Sequence, residues 1–327
     1  MKIFILGDSN VKWYNKGEYL YILKAVPRGS LFFFKILYTK LKIIGGNTVA
    51  KRQRKNSSEE KIQKWIKEGR GQGEGEDYIP WLKIQDVASK GYATRDKGWK
   101  TNRIHHFLSD LELKYLYTLE WSPYVEDIRE QYPLLPLEKT LAIAEELDVE
   151  HPKEDGASGP YKVITSDFFI VFRTNKGLET CVRTIKPEND IDTRELQKFE
   201  IEKRYFQDLG INNWKVVTDL DIPKDFIKNI EWLYDCKSIN NRPNITETLI
   251  DSISPMLYKA LKTEVTGLST IALKYDDRLG LEKGSCLFII KHLLANKVWV
   301  TDMEKQINPS LPLIVSNIKE KSEKLLG

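Results

Sequence analysis

Apolar residues in the middle of the chain form two runs that predict neighbouring β-strands. The runs are Tyr161–Arg173 and Leu178–Lys186, and their β-branched and aromatic residues are typical of buried strands. The segment Thr174–Gly177 joins them, and Asn175 and Gly177 tolerate the left-handed backbone of a tight turn. The pattern therefore predicts a β-hairpin.

Helical patterns flank this hairpin on both sides. The first helix is expected near Ser57–Glu60, where the sequence has the composition of a helix start. Further elements are predicted as helices at about Ser109–Trp121 and Asp192–Leu209 and as a strand at Trp214–Thr218. The order α…ββ-α-β predicts a small mixed α/β sheet with helices packed against it.

A break near Asp219–Pro223 precedes a C-terminal region with mainly helical patterns. Proline is favoured at a helix start, so Pro223 predicts a helix over Lys224–Tyr234. The region ends in two apolar segments, Leu293–Val300 and Leu311–Val315. Helices followed by a terminal two-stranded unit predict a winged-helix domain.

The first 48 residues differ from the rest of the chain. Their apolar stretch, Leu31–Ile44, contains three lysines and is shorter than the ~20 residues of a membrane span, so no membrane association is expected. One interpretation is a small accessory hairpin or a disordered tail. The other is that translation begins at Val49, because GTG is a common alternative bacterial start codon, and that residues 1–48 are upstream sequence.

Length and composition restrict the class of protein only moderately. A chain of 327 residues is long enough for two domains, and a net charge of +4 permits nucleic-acid binding without arguing for it. The three cysteines, Cys181, Cys236 and Cys286, lack zinc-ligand spacing and are odd in number. They are expected to be buried free thiols of a cytoplasmic protein.

Three residues carry the candidate chemistry. Asp167 and Lys186 lie on the two hairpin strands, which would bring carboxylate and ammonium together, and Glu112 comes from the helix upstream. Two carboxylates and a lysine at a sheet end can hold Mg²⁺ and orient a water against a phosphodiester. This is the arrangement of restriction-endonuclease-like nucleases.

Each of these residues also has a structural interpretation. Ser109-x-x-Glu112 is a capping box, whose glutamate satisfies backbone N–H groups. Asp167 lies in an apolar strand and needs a cation, which Lys186 could supply in a structural salt bridge. The residues alone leave both alternatives open.

Several long blocks of the chain are distinctive. They are Lys67–Gly73, Asp77–Leu82, His105–Glu112, Asp127–Pro136, Ser166–Phe168, Ile185–Pro187, Glu202–Tyr205 and Asn229–Tyr234. These blocks resemble TnsA, the endonuclease subunit of heteromeric Tn7-like transposases. The similarity covers about residues 56–234, fades beyond 245 and does not include residues 1–48.

The resemblance implies an α/β restriction-endonuclease-like domain over residues 49–220 and a C-terminal winged-helix domain over residues 221–327. It implies Mg²⁺-dependent hydrolysis of the 5′ strands of double-stranded DNA at transposon ends, with two metal ions that Mn²⁺ could replace. A TnsB-type transposase would cut the 3′ ends. A TnsC-type ATP-binding regulator would contact the C-terminal domain.

Carried over residue by residue, Glu112 and Asp167 match the metal-binding acids and Lys186 matches the catalytic lysine. The backbone carbonyl of Ile185 is expected as a further metal ligand. The chain departs from the family at Thr184, where Gln or Glu is usual, and a threonine could hold the second metal through a bridging water.

The expected function is therefore a transposase endonuclease. The alternatives are a stand-alone restriction-like or junction-resolving nuclease and a catalytically inactive transposition adaptor, for which Thr184 is the warning sign. Candidate contacts to DNA phosphates are Arg70, Lys100, Arg103 and Arg129.

Overall fold

A computed structural model of the chain describes residues 11–16, 19–24, 55–87, 94–154 and 159–317. Two compact units, Met1–Gln53 and Arg54–Gly327, are considered separately. In the first unit, strand β1 (Val11–Lys16) pairs antiparallel with β2 (Tyr19–Lys24). The apolar stretch Leu31–Ile44 and the possible start at Val49 lie outside the described residues.

The second unit begins with helix α1 (Lys55–Lys67). A small antiparallel pair follows, formed by β3 (Thr94–Lys97) and β4 (Ile104–Phe107). Helix α2 (Asp110–Trp121) comes next and has Ser109 as its N-cap, close to the predicted helix at Ser109–Trp121. In its first turn, Glu112 contacts Gln131 of the following strand.

A four-stranded sheet lies at the centre of this unit. Its elements in chain order are β5 (Val125–Pro133), helix α3 (Leu137–Glu146), β6 (Thr165–Thr174), β7 (Gly177–Ile185), helix α4 (Thr193–Asp208) and β8 (Trp214–Val217). The strand order is β5-β6-β7-β8, with antiparallel pairs except for the parallel pair β7–β8. The predicted hairpin and mixed sheet are confirmed.

The turn between β6 and β7 differs from the prediction in one residue. Gly177 has a φ of +120°, as expected, but Asn175 is not among the residues with positive φ. The prediction for Asn175 is therefore wrong, since the glycine alone supplies the unusual backbone that this turn needs.

The two faces of the sheet bury separate apolar clusters. Phe168 belongs to the cluster that includes α2 side chains, whereas its neighbour Phe169 packs with residues of α3 and α4. Successive strand residues point to opposite faces, which explains why an uninterrupted apolar run is needed here. Ser166 and Asp167 contact different elements, Glu202 on α4 and Gln131 on β5 respectively.

Residues 221–317, the described C-terminal part, contain four α-helices and a short strand pair. They are α5 (Lys224–Leu233), α6 (Glu247–Thr263), α7 (Leu268–Leu279), α8 (Ser285–Ala295), β9 (Trp299–Val300) and β10 (Ser316–Asn317). The strands pair antiparallel. Cys236 and Cys286 are buried free thiols here, as Cys181 is in the sheet, which confirms that prediction. Among the described helices, none combines the length and apolarity that crossing a membrane requires.

Candidate active site

Two of the predicted acidic residues meet at one end of the central sheet. Glu112 lies in the first turn of α2 and Asp167 near the start of β6. The side-chain amide of Gln131 on β5 joins them, with Nε2 3.3 Å from Glu112 Oε2 and 3.3 Å from Asp167 Oδ1. Three different elements therefore converge on one polar cluster.

Glu112 is held by the start of its own helix. Its Oε2 accepts a hydrogen bond from the backbone N–H of Leu108 at 3.0 Å, and its Oε1 accepts one from the hydroxyl of Ser109 at 2.8 Å. Ser109 in turn caps the N–H of Glu112. The structure thus contains the capping interaction and also places the same carboxylate beside Asp167, so the two interpretations of Glu112 are compatible.

Asp167 is tied to the neighbouring strand. Its Oδ2 accepts a hydrogen bond from the backbone N–H of Ile185 at 2.6 Å. The positive charge of Lys186 stabilises the ionised carboxylate, but the ammonium forms its ion pair with Glu195, at 3.4 Å. Within the described residues, the alternative of a structural Asp167–Lys186 ion pair is therefore wrong.

The two carboxyl groups have raised pKa values. Burial is the main cause for both Glu112 and Asp167, because it disfavours the charged form. The negative charge of Asp167 raises the pKa of Glu112 further. A cation placed between the two groups would relieve this repulsion.

Gln131 is a site residue whose bridging role the sequence did not reveal. It is buried and has a φ of +48°, which is uncommon for a residue other than glycine. The hydroxyl of Thr165 donates to its Oε1 at 3.1 Å, which orients the amide N–H groups towards the carboxylates. Left-handed backbone of this kind is concentrated at functional sites. The dense polar segment Asp127–Gln131 was the available signal.

Glu202 on α4 lies directly behind the site. The hydroxyls of Ser166 and Thr184 both donate to its Oε1, each at 2.5 Å. Burial raises the pKa of Glu202 to about 7. An acid on the buried face of a helix was a signal that sequence reasoning overlooked.

Thr184 faces Glu202 in this arrangement. Its hydroxyl is buried and already donates a hydrogen bond. Because the hydroxyl donates through its hydrogen, its oxygen lone pairs stay available to accept from a metal-bound water. The predicted ligand Ile185 lies next to it, at the end of β7, where its N–H contacts Asp167.

Two of the predicted DNA contacts are buried. Arg70 donates to Asp86 and to the carbonyl of Trp81, and it stacks on Trp65. Arg103 forms a 2.5 Å ion pair with the fully buried Glu130. Because both guanidinium groups are used inside the protein, the prediction that they contact DNA is wrong.

The other two predicted contacts are half-buried. Arg129 pairs with Glu74 and Asp127, which leaves its charge balanced. The Lys100 ammonium has no ion pair or hydrogen bond in the part of the chain that the structure describes. Glu120 and Glu126 stabilise its charge without forming an ion pair with it, and its surroundings are considered below.

The donor set at the site is small. Over the described residues, no group of three or more His, Cys, Asp and Glu side chains is arranged to hold a metal ion. Mg²⁺ usually binds through one or two carboxylates and retains several waters. The pair of buried, mutually repelling acids Glu112 and Asp167 fits that requirement.

Comparison with known proteins relates most of the chain to one family. Residues 122–219 match the family "TnsA-like endonuclease N terminal", and residues 221–303 match "TnsA endonuclease C terminal". The chain is 38% identical over 240 residues to the transposon Tn7 transposition protein TnsA of Escherichia coli. This match covers 73% of the chain and 84% of the relative.

Proposed function

Because this chain belongs to the TnsA family and is the endonuclease subunit of a Tn7-like transposase, we propose that it hydrolyses the 5′ strands at transposon ends in an Mg²⁺-dependent reaction. The convergence of Glu112 and Asp167 on one amide is the observation that carries the proposal. Two buried carboxylates with raised pKa values are a favourable site for a divalent cation.

In the proposed site, Asp167 and Glu112 hold the metal, and the backbone carbonyl of Ile185 adds a ligand. Bound Mg²⁺, or Mn²⁺ in its place, would lower the pKa of a water and neutralise charge on the phosphate. A second ion is part of the proposal, and the Thr184 oxygen would help hold it through a bridging water while its hydroxyl still donates to Glu202.

Lys186 has a separate role in this proposal. Its side chain is about one-third exposed, so its ammonium is accessible from solvent. A positive charge there would stabilise the negative charge that develops on the phosphorane. Glu195, 3.4 Å from the ammonium, would position it.

The proposed partners follow the family. A TnsB-type transposase would cut the 3′ ends, and a TnsC-type ATP-binding regulator would bind the C-terminal domain. Helices α6 to α8 followed by the β9–β10 pair support the proposal that this domain is of the winged-helix type.

The direct test compares wild type with Asp167→Ala at transposon ends, together with the partner transposase and Mg²⁺. Wild type should cut the 5′ strands, and the variant should leave only 3′ nicks. Glu145→Ala, an exposed acid on α3, is the matched control and should cut as wild type does. Identical products from wild type and Asp167→Ala would identify the chain as an inactive adaptor.

A further inference from the structure

Three lysines that form no ion pair in the described structure converge at the junction of the sheet and the C-terminal helices. Lys100 precedes β4, Lys237 follows α5 and Lys297 follows α8. All three are half-buried, and none forms an ion pair in the described parts of the chain. Half-buried ammonium groups without a carboxylate partner are costly, so their clustering requires an explanation.

A pair of tryptophans fixes the positions of two of these lysines. Trp99 and Trp121 have ring centroids 6.3 Å apart. The Lys237 Nζ lies 5.3 Å from the Trp99 ring, and the Lys297 Nζ lies 4.9 Å from the Trp121 ring. Each ammonium also donates to a carbonyl at a helix end, Lys237 to Ala295 and Lys297 to Trp121.

Helix C-termini attract cations, but that attraction does not account for all three charges. Each carbonyl accepts a hydrogen bond from only one of the three N–H groups of its ammonium. The side chain of Lys100 has no carbonyl partner in the described structure. Burial lowers the pKa of Lys297, and repulsion by Lys100 and Lys237 lowers it further.

The nearby acids offset the charge only in part. The carboxylate of Glu120 accepts from the backbone N–H of Lys100 at 3.0 Å, and burial raises its pKa. Glu126 is the other acid that acts on Lys100. The cluster contains three ammonium groups, whereas only the buried carboxylate of Glu120 and the exposed carboxylate of Glu126 oppose them. The site therefore has a net positive charge.

The position of the cluster relative to the candidate active site suggests its ligand. Glu112 and Trp121 lie near opposite ends of α2. Nine residues of helix span about 14 Å at 1.5 Å per residue. That is the length of about four base pairs of DNA.

We propose that Lys100, Lys237 and Lys297 form a phosphate-binding site that holds the DNA backbone about four base pairs from the cleaved bond. The proposal rests on the endonuclease assignment and adds a DNA contact made jointly by the two parts of the molecule. Its ligand is the DNA backbone, and an acidic segment of a partner protein is the competing occupant.

The test measures binding of the full chain to a labelled transposon-end duplex by fluorescence anisotropy in EDTA, over a range of salt concentrations. Each phosphate contact contributes about 0.9 to the slope of log affinity against log salt. In the triple Lys→Gln variant, the magnitude of the slope should fall by about 2–3. Its affinity for the duplex at 0.1 M salt should fall at least about tenfold. In Lys100→Gln alone, the magnitude of the slope should fall by about 1.

The matched control is Lys262→Gln. Lys262 also lies over an aromatic ring, with Nζ 5.5 Å from the Tyr258 centroid, but it belongs to α6. Its variant should bind DNA as wild type does. Because Lys100 makes no side-chain hydrogen bond in the described structure, its single variant tests the proposal even if the triple variant unfolds.

Three results would overturn the proposal. They are unchanged affinity and slope in the folded variants, an equal loss in the control, and no binding by wild type at low salt. Loss of transposase or regulator binding with unchanged DNA affinity would assign the cluster to a protein partner instead. Since EDTA prevents metal-dependent cleavage, these results are independent of the test on Asp167.

Discussion

Burial of three carboxyl groups makes the stability of the protein depend on pH. Glu112, Asp167 and Glu202 all have pKa values raised above their ordinary values of 4.5, 3.8 and 4.5. The folded state therefore binds more protons than the unfolded state in this range. Their contribution to stability is fully present below about pH 4 and is lost as pH rises through the folded pKa values.

We expect the unfolding temperature in EDTA to fall between pH 5 and pH 8. Glu112→Gln should flatten this dependence, because the amide stays neutral at every pH. Each kcal/mol should correspond to about 2–4 °C in a protein of this size. Differential scanning calorimetry at several pH values provides the measurement, and Mg²⁺ should restore the loss at pH 8.

The control for this measurement is Glu145→Gln, at an exposed position of α3. It should keep the wild-type slope. An unfolding temperature that rises with pH in wild type would show that ionising these carboxyl groups does not destabilise the folded state. The proposal that buried, mutually repelling acids create the metal site would then be wrong.

Thr184 offers a second prediction for single residues. If its hydroxyl serves mainly to hold Glu202, Thr184→Val should lower stability by about 1–3 kcal/mol, because a buried acceptor loses a donor. Thr184→Ser should restore most of it. Thermal unfolding measures this effect. Calorimetric titration with Mg²⁺ tests whether Thr184 is also a metal ligand: in that case Thr184→Val would weaken Mg²⁺ binding more than Glu202→Gln does.

The sequence predicted the acids of the site more easily than the residues that support them. Glu112 and Asp167 stand out locally, as a capping glutamate and as an acid in an apolar strand. Gln131 contacts Asp167 only through the pairing of β5 with β6. Glu202 approaches β6 and β7 only after α4 packs on the sheet. Contacts between residues so far apart in the chain cannot be predicted from the local spacing of residues.

Helix α2 shows how one element can combine folding and chemistry. Its N-cap, Ser109, accepts from the N–H of Glu112 at 3.2 Å and donates to the carboxylate of the same residue. Helix ends of this kind were predictable, since caps are local: Ser109 and Asp192 begin the two predicted helices, and both are N-caps in the structure. The parallel pairing of β8 with β7 was not, because it depends on the path of α4.

Removal of this cap should affect stability and cleavage together. Ser109→Ala should cost about 0.5–2 kcal/mol and reduce cleavage, because the Glu112 carboxylate loses a donor that orients it. The matched control is Thr246→Ala, since Thr246 caps α6 with the same 3.2 Å bond, to Leu249. The control should lose similar stability but keep cleavage, measured with the partner transposase. Equal loss of cleavage in both variants would mean that stability alone is responsible.

At the scale of the whole second unit, α5 belongs to two hydrophobic cores. Ile227 and Ile230 pack with α2 and the sheet, whereas Leu233 packs with the C-terminal helices. Asn229 adds hydrogen bonds to the carbonyls of Met303 and Lys305, at 3.0 and 2.8 Å. The predicted boundary between residues 220 and 221 stays a prediction, and it falls just before this shared helix.

We expect residues 54–327 to unfold in a single calorimetric transition. Ile230→Ala, which removes a fully buried side chain, should lower that transition as a whole by about 2–5 kcal/mol. Ile314→Ala, at a position that is 85% exposed, is the control and should change little. Two transitions, with only one of them shifted by Ile230→Ala, would show that the domains fold independently.

The bridge that Gln131 makes between Glu112 and Asp167 bears on how the protein can be handled. The amide N–H groups satisfy part of both carboxylates, so the architecture of the site is held by the polypeptide itself. Chelation should then be a reversible inhibition instead of a denaturing treatment. The subunit could be purified and stored inert in a chelating buffer, and activity would return on addition of Mg²⁺ without a refolding step.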